Sequence, residues 1–366
     1  MSNHTKNIIL IYMLSIFIIS YTVASLIKPD TKISVSERRQ LADFPDISKE
    51  SVLSGHFATD VEKYLLDQAP LRDKLRTVKT INSMYIFMQK EVNGIYIRDD
   101  HVSKLDYPFD HQSIKYAASR FRFIYDTYIN KKDINVYLSV IPDKNYFMAE
   151  KNGYPSIDYN DLTRSLCAEM EYAKYIDIMN LLELSDYYHT DPHWSQEKIT
   201  DIASYLASQM KATLKEDYSE KRINNFFRGS YYGQSALPLK ADDFVYLDNK
   251  ILTNCKVFDY ESDRYTTVYN NEKLFGYDPY EFFLSGSKSL MKIENPAADT
   301  EKSLIIFRDS FGSSIAPLLV SGYKEILLVD IRYISPHILG KFVDFENQDV
   351  LFLYSTGVLN NSITIK

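Results

Sequence analysis

Ser303-Leu304-Ile305-Ile306-Phe307 runs without a break into Arg308-Asp309-Ser310-Phe311-Gly312. The first five residues have the length and composition of a buried strand, and the last residues open a helix predicted over 311–322. Downstream the alternation repeats, with a strand at 325–330, a helix at 335–345 and a strand at 349–354. Strands alternating with helices argue for βαβ units around a parallel sheet. In an open α/β sheet, ligands sit beyond the carboxyl ends of the strands. Ser310 is expected at such an end, with the backbone of Phe311 and Gly312 placed to donate to a developing oxyanion. A serine hydroxyl alone is a poor nucleophile and needs a base beside it. Taken alone, Asp309 and Ser310 can equally be read as helix caps.

The same pattern extends upstream. Residues 134–141 (INVYLSVI) form a short apolar run ending at Pro142-Asp143-Lys144, as a buried strand would. Helices are predicted at 111–130, capped by Asp110 with Ile114, Ala117, Phe121, Ile124 and Tyr128 on one stripe, and at 160–174. A strand is expected at 175–179. A further helix at 196–214 carries Ile199, Ile202, Ala203, Leu206 and Met210, with Ser195 as its cap. Nearer the N-terminus, 55–69 has helical spacing. Pro70 suits the first turn of a helix reaching about Gln89, and Asn93-Gly94 turns into a strand at 95–97. The Tyr- and Phe-rich stretch 223–285 reads as an irregular, partly β insertion. No internal repeat is visible.

Residues 8–27 (IILIYMLSIFIISYTVASLI) carry no charge. About 20 apolar residues cross a ~30 Å hydrocarbon core. The reading is a transmembrane anchor at 8–27 behind a cytoplasmic tail at 1–7, with everything after Lys28 outside. A cleaved signal peptide ending near Val23-Ala24-Ser25 is the alternative, although its apolar core is ordinarily shorter. Residues 28–50 are polar, with two prolines and a charged cluster at 36–39, and read as a stalk. A domain at 51–366 follows.

The chain has 366 residues, of which 45% are hydrophobic and 25% charged, which excludes wholesale disorder. A net charge of −7 argues against general nucleic-acid binding, which needs a basic face. Glycine, at 11 residues, is too sparse to favour a phosphate-cradling loop. Cys167 and Cys255 either form one bridge or stay free, and no Cys/His cluster has zinc spacing. No cofactor or metal is expected. The 30 tyrosines supply ring area with a polar tip, which can also stack on sugars.

A second motif supplies the missing base. In Thr190-Asp191-Pro192-His193-Trp194, the chain's one tryptophan follows a histidine that has an acid two residues before it. A carboxylate beside an imidazole fixes its tautomer and stabilises the imidazolium, as in hydrolase triads. The plainer reading is a capping or buried histidine. Trp194 either packs this loop or lines a sugar site.

Together, Thr190-Asp191-Pro192-His193-Trp194 and Arg308-Asp309-Ser310-Phe311-Gly312 resemble the DHHW family of bacterial exported proteins. That family is similar to the alginate O-acetyltransferases within the SGNH hydrolase group. Ser36-Glu37-Arg38-Arg39-Gln40-Leu41, Phe44-Pro45, Asp67-Gln68-Ala69-Pro70-Leu71-Arg72, Asn93-Gly94-Ile95-Tyr96, Ile141-Pro142-Asp143-Lys144 and Asp330-Ile331-Arg332-Tyr333 look like further family segments, in order. The resemblance covers most of the chain. It implies a three-layer SGNH-like α/β domain with Ser310 as nucleophile, His193 as base and Asp191 as its orienter. The family's first histidine is Pro192 here, which fixes φ and removes an N–H. Arg308 stands where general SGNH esterases have glycine.

Lys144 and Arg332 are candidates to bind acidic sugar or acetyl-donor groups, with salt-bridged charges as the plainer reading. Tyr231, Gln234 and Ser235 are candidates to complete the oxyanion hole, and His189 is a second candidate base. The function implied is O-acetylation of a cell-surface or secreted polysaccharide, with the acetyl group supplied through a partner membrane O-acyltransferase. The same triad with water as acceptor gives a carbohydrate esterase or deacetylase. A non-catalytic envelope or spore-surface interaction protein is the reading from another class.

Overall fold

The structure, a computed structural model, describes residues 2–130, 132–215 and 217–366. Met1, the first residue of the expected tail, lies outside them. The chain divides into two compact units.

The first unit comprises residues 1–93 and 232–238. It begins with a 25-residue helix, Asn3–Ile27, none of it buried, which is long and apolar enough to cross a membrane. The residues read as a stalk are not a free linker. Strands β1 (Ile33–Ser34) and β2 (Arg39–Gln40) pair antiparallel, and the helix His56–Gln68 holds them. Asp67 accepts from Arg39 at 2.5 and 2.8 Å and from the Ala42 N–H at 2.9 Å. The Arg39 contact draws the Asp67 carboxyl down to about 2. The Gln68 amide donates to the carbonyls of Thr31 and Ala42. Pro70 precedes the next helix rather than opening it. Leu71 turns the chain with a left-handed φ of 58°, and the helix runs Arg72–Ile81, then widens into a π-turn over Asn82–Ile86.

The second unit comprises residues 94–231 and 239–366. It opens with the hairpin β3 (Ile95–Arg98) and β4 (His101–Lys104). The helix His111–Ile124 is capped by Asp110, whose carboxylate accepts from the N–H groups of Gln112 and Ser113. Then come β5 (Val136–Ile141), the helix Tyr159–Glu169 and β6 (Lys174–Tyr175). The strand expected at 175–179 is only this two-residue pairing, since the chain turns away at Met179–Leu181. The helix expected at 196–214 is Thr200–Gln209. Ser195 does not cap it; its N–H donates to the Asp186 carbonyl and a separate turn, Gln196–Lys198, intervenes.

The Tyr-rich stretch is more regular than its composition indicates. Strands β7 (Ser219–Phe227) and β8 (Asp242–Asp248) form an antiparallel pair. Strands β9 (Lys256–Asp259), β10 (Arg264–Thr266) and β11 (Leu290–Glu294) extend the central sheet. The remaining strands are β12 (Ser303–Arg308), β13 (Glu325–Val329) and β14 (Gln348–Ser355), with the helix Gly312–Leu319 after β12. The helix expected at 335–345 is a tight turn over Pro336–Lys341.

The sheet order is β10-β9-β11-β13-β12-β14-β5-β6. The run from β13 to β6 is parallel throughout, while β9, β10 and β11 join antiparallel. Side chains alternate across a strand, so a strand buried on both faces feeds two cores. On β12, Leu304 and Ile306 enter one core, and Ile305 and Phe307 the other. On β14, Leu351 and Leu353 face the first, and Val350, Phe352 and Tyr354 the second. The first core is closed by the helices 200–209 and 312–319, the second by 111–124 and 159–169. Each fully buried aliphatic or phenyl side chain contributes about 1.5–3 kcal/mol. The result is a three-layer α/β unit in which β12, β14 and β5 end together, with Arg308 beside Leu353 and Ser355 beside Ile141.

Candidate active site

The turn after β12 is set by Asp309, which is fully buried. One carboxylate oxygen accepts from the Phe311 N–H at 3.0 Å. The other accepts from the N–H and hydroxyl of Ser355, at 2.8 and 2.6 Å, at the end of β14. The side chain of Arg308 folds beneath this turn. A Cβ on Gly312 would lie 2.7 Å from Arg308 Cβ, so the close passage requires glycine. The Arg308 guanidinium donates to the carbonyls of Asp309 and Gly286. Its complete burial pushes its pKa down despite the nearby Asp330. Ser310 is thereby lifted to the carboxyl end of the sheet.

The second segment is a closed loop. The Tyr188 N–H donates to the His193 carbonyl, and Tyr187 bridges Trp194. Asp242, on β8, accepts from the N–H groups of His189 and Thr190 and from the Thr190 hydroxyl. Lys144, which opens the short helix Lys144–Met148 after β5, anchors the loop by donating to the carbonyls of Tyr188 and His189, at 2.9 and 3.1 Å. Within the loop, Asp191 Oδ1 accepts from the His193 N–H at 3.2 Å and lies 2.5 Å from His193 Nδ1. Its Oδ2 accepts from the Ser230 N–H at 2.8 Å. His193 Nε2 stands 2.7 Å from Ser310 Oγ, across 117 residues of sequence. The structure therefore brings Asp191, His193 and Ser310 into one line of hydrogen bonds, with His193 nearly buried.

Two residues absent from the sequence reading hold this line. Tyr280 lies against the His193 ring at 3.8 Å between centroids, with 9° between planes. Its hydroxyl donates to Ser314 Oγ at 2.8 Å, and so does Trp194 Nε1, also at 2.8 Å. Ser314 sits one turn after Ser310 and donates to the Phe311 carbonyl at 3.4 Å. Both lone pairs and the proton of one hydroxyl are then in use. Only the tyrosine enrichment of 223–285 hinted at Tyr280. A third element is Gly229, where a Cβ would lie 2.3 Å from Asp191 Cβ.

The other candidates divide. Trp194 has no exposed surface and packs the loop against Phe311, so it offers no face to a sugar. The Phe311 and Gly312 N–H groups are already bonded to Asp309, and that of Ser313 to the Ser310 carbonyl, which corrects the expectation that Phe311 and Gly312 serve an oxyanion. His189 stacks on His101 and bonds the Asp100 carbonyl, away from Ser310. Arg332 is held bidentately by Asp330, at 2.9 and 2.6 Å, rather than presented to a ligand. Gln234 and Ser235 fall in the first unit, and no role in the site is assigned to them. Cys167 and Cys255 are both free.

Lys144 and Tyr231 line a cavity of about 220 Å³, together with Asp106, Asp143, Pro192 and Phe311. Pro192 and Phe311 adjoin His193 and Ser310 in sequence, so the cavity opens beside the triad. It is smaller than the ~300 Å³ at which drug-sized ligand pockets begin, and it suits one small polar unit. Burial pushes the Lys144 ammonium down to about 7, and burial beside Asp143 pushes the Asp106 carboxyl up to about 6.

Comparison with known proteins agrees with this architecture. A DHHW family protein from Eubacterium siraeum superposes with a TM-score of 0.61 and 22% identity, over 75% of this chain and 95% of that one. Bacillus cereus PatB1 with a sulfonyl adduct gives 0.55 and 16%, over 72% and 97%. A second PatB1 structure gives 0.55 and 19%, over 72% and 96%. At these identities the likeness concerns the fold. No curated protein matches the chain. The model of the DHHW protein matches residues 172–329, a stretch that holds Asp191, His193, Tyr280 and Ser310. Residues 172–329 thus match the DHHW protein family model, within an α/β fold like that of these structures.

Proposed function

We propose that the protein is a membrane-anchored O-acetyltransferase that modifies a cell-surface or secreted polysaccharide outside the cytoplasmic membrane. The observation that carries the reading is the relay from Asp191 through His193 to Ser310, at 2.5 and 2.7 Å. Two segments 117 residues apart meet so that acid, imidazole and hydroxyl stand in the order that activates a hydroxyl.

In the first half-reaction, Ser310 Oγ attacks the acetyl carbonyl of a donor ester while His193 Nε2 takes the hydroxyl proton. Asp191 holds the imidazolium through Nδ1. Among residues 310–313, the Ser310 N–H is the one that bonds nothing else among the described residues, and it is the donor assigned to the oxyanion. Collapse expels the donor's alkoxide, which takes the proton from His193, and leaves acetyl-Ser310. In the second half-reaction, a sugar hydroxyl gives its proton to His193 and attacks the acyl ester. The Ser310 oxygen leaves with that proton, and the acetylated glycan departs.

The anchor is the helix 3–27. The acetyl donor, in this reading, comes through a partner membrane O-acyltransferase. Sulfonyl electrophiles capture activated nucleophiles, and the sulfonyl adduct of PatB1 supports this chemistry on a related fold. The test is to incubate the protein with p-nitrophenyl acetate, trap the intermediate in acid and map the acetyl group by mass spectrometry. Acetyl on Ser310, released faster by a glycan than by water, supports the transferase. Release by water alone makes it an esterase. A folded protein that never acylates returns the chain to the interaction-protein class.

A further inference from the structure

In the first unit, the helix Arg72–Ile81 and its continuation Asn82–Ile86 leave an apolar stripe exposed. The helix's two arginines face inward. Arg72 pairs with Glu37, Arg76 pairs with Glu37 at 3.1 Å and donates to the Gly233 carbonyl at 3.0 Å, and Thr80 is buried. The apolar side faces out. Leu71, Leu75, Val78 and Tyr85 follow helical spacing along one stripe, and Ile86 and Phe87 continue it. Val78 is 54% exposed and Phe87 71%. Monomeric proteins rarely leave a contiguous apolar stripe of this kind in water unless something covers it.

The same unit indicates what covers it. The Tyr21 hydroxyl donates to the Pro70 carbonyl at 3.4 Å. Lys28 and Leu71 line one cavity of about 420 Å³. The start of the stripe therefore lies against the last two turns of the apolar helix 3–27. Tyr21 is six residues before Ile27, about 9 Å along a helix axis. Where that helix sits in lipid, Pro70 and Leu71 are at the lipid boundary. Lys74, Lys79 and Lys90 are exposed along the same segment and complement anionic headgroups.

We propose that the stripe 71–88 lies in the bilayer interface as an in-plane amphipathic segment, a second attachment beside the helix 3–27. Its occupant is the lipid surface. The inference rests on the reading of 3–27 as a membrane anchor. It adds a constraint that one span behind a loose stalk would not give: the first unit is pinned flat to the membrane.

The test uses the full-length protein in vesicles of phosphatidylcholine and phosphatidylglycerol with acyl chains brominated near the headgroup. The native Trp194 is buried and supplies the baseline emission. Val78→Trp, Phe87→Trp and Ile18→Trp each add one reporter, and each is first checked for an unchanged melting temperature. Residues buried ~5–10 Å into the headgroup boundary are expected to lose about half of the added emission or more. Quenching at positions 78 and 87 supports the inference. Quenching at 18 with none at 78 and 87 overturns it and leaves the anchor standing, and assigns the stripe to a protein partner. No quenching at any of the three overturns both.

Discussion

The Tyr280 ring covers one face of the His193 imidazole at 3.8 Å, and its hydroxyl is tied to Ser314 on the helix that follows Ser310. The His193 imidazole is thus fixed from three directions. Asp191 holds one ring nitrogen, Ser310 meets the other, and Tyr280 sets the plane. Ser314 also takes the Trp194 N–H, so the loop and the helix share one hydroxyl.

Removing the ring should loosen the base more than removing the hydroxyl. Tyr280→Leu keeps an apolar side chain but loses the flat face, and is expected to slow acylation by p-nitrophenyl acetate about 10-fold, as small misplacements of reacting groups do. Tyr280→Phe keeps the face and should retain most of the rate. Equal rates in the two variants would assign the effect to the hydroxyl, against the stacking argument.

The three triad residues should fail as a unit. Ser310→Ala and His193→Ala are each expected to lower turnover by roughly 10³–10⁴ or more, with the double variant little worse than either. Asp191→Asn keeps the shape but loses the charge beside Nδ1, so it should stay folded and be slow. Steady-state rates and thermal melts on the same preparations separate lost chemistry from lost fold. Additive losses in the double variant would sink the shared role.

The parts of the site visible in the sequence are those carried by local pattern. The apolar run 303–307 and the polar turn after it place Ser310, and the Asp-x-His spacing places Asp191 against His193 within one loop. The period-2 alternation of β12 and β14 is likewise legible once two cores are allowed. What stayed hidden depends on distant partners. Nothing near Tyr280 indicates that it meets a histidine 87 residues earlier in the chain. Ser314 reads as an ordinary helix residue until both donors arrive. The Phe311 and Gly312 N–H groups look free in sequence because the Asp309 side chain and carbonyl that occupy them act through the turn's geometry. The alternation at 256–260 marks β9, but β10 was obscured by its position in a Tyr-rich stretch, and β11, which joins β9 to the central sheet, lies beyond it.

Gly229 should prove intolerant of any side chain. Its backbone N–H donates to Thr190 Oγ1 at 2.9 Å, and an added Cβ would meet both Asp191 Cβ and the Thr190 carbonyl oxygen at 2.3 Å. Gly229→Ala must displace the segment that brings the Ser230 N–H to Asp191. A cost of about 1–3 kcal/mol in stability is expected from overpacking, with acylation falling at least as far as in Asp191→Asn. Denaturant melts and burst kinetics read the two effects. Wild-type acylation in Gly229→Ala would show that the 229–230 segment does not hold Asp191.

Glu197 gives the protein a pH-dependent weakness. It sits in the turn between the histidine loop and the helix 200–209, and its Oε2 is buried without a hydrogen-bond partner. Burial pushes its carboxyl from 4.5 up to about 7. Between those values the folded protein keeps a proton that the unfolded chain releases. Stability therefore falls as pH rises from about 4.5 to about 7, and the whole penalty is present above 7. At most this amounts to about 3 kcal/mol, less whatever solvent reaches the group. Glu197→Gln removes the ionisation, so its melting temperature should equal that of the wild type near pH 4.5 and exceed it by a few degrees at pH 8. Thermal melts of both proteins across that range decide the matter. A gain of the same size at every pH would mean that the carboxylate never carries a buried charge, and that the substitution acts through packing alone.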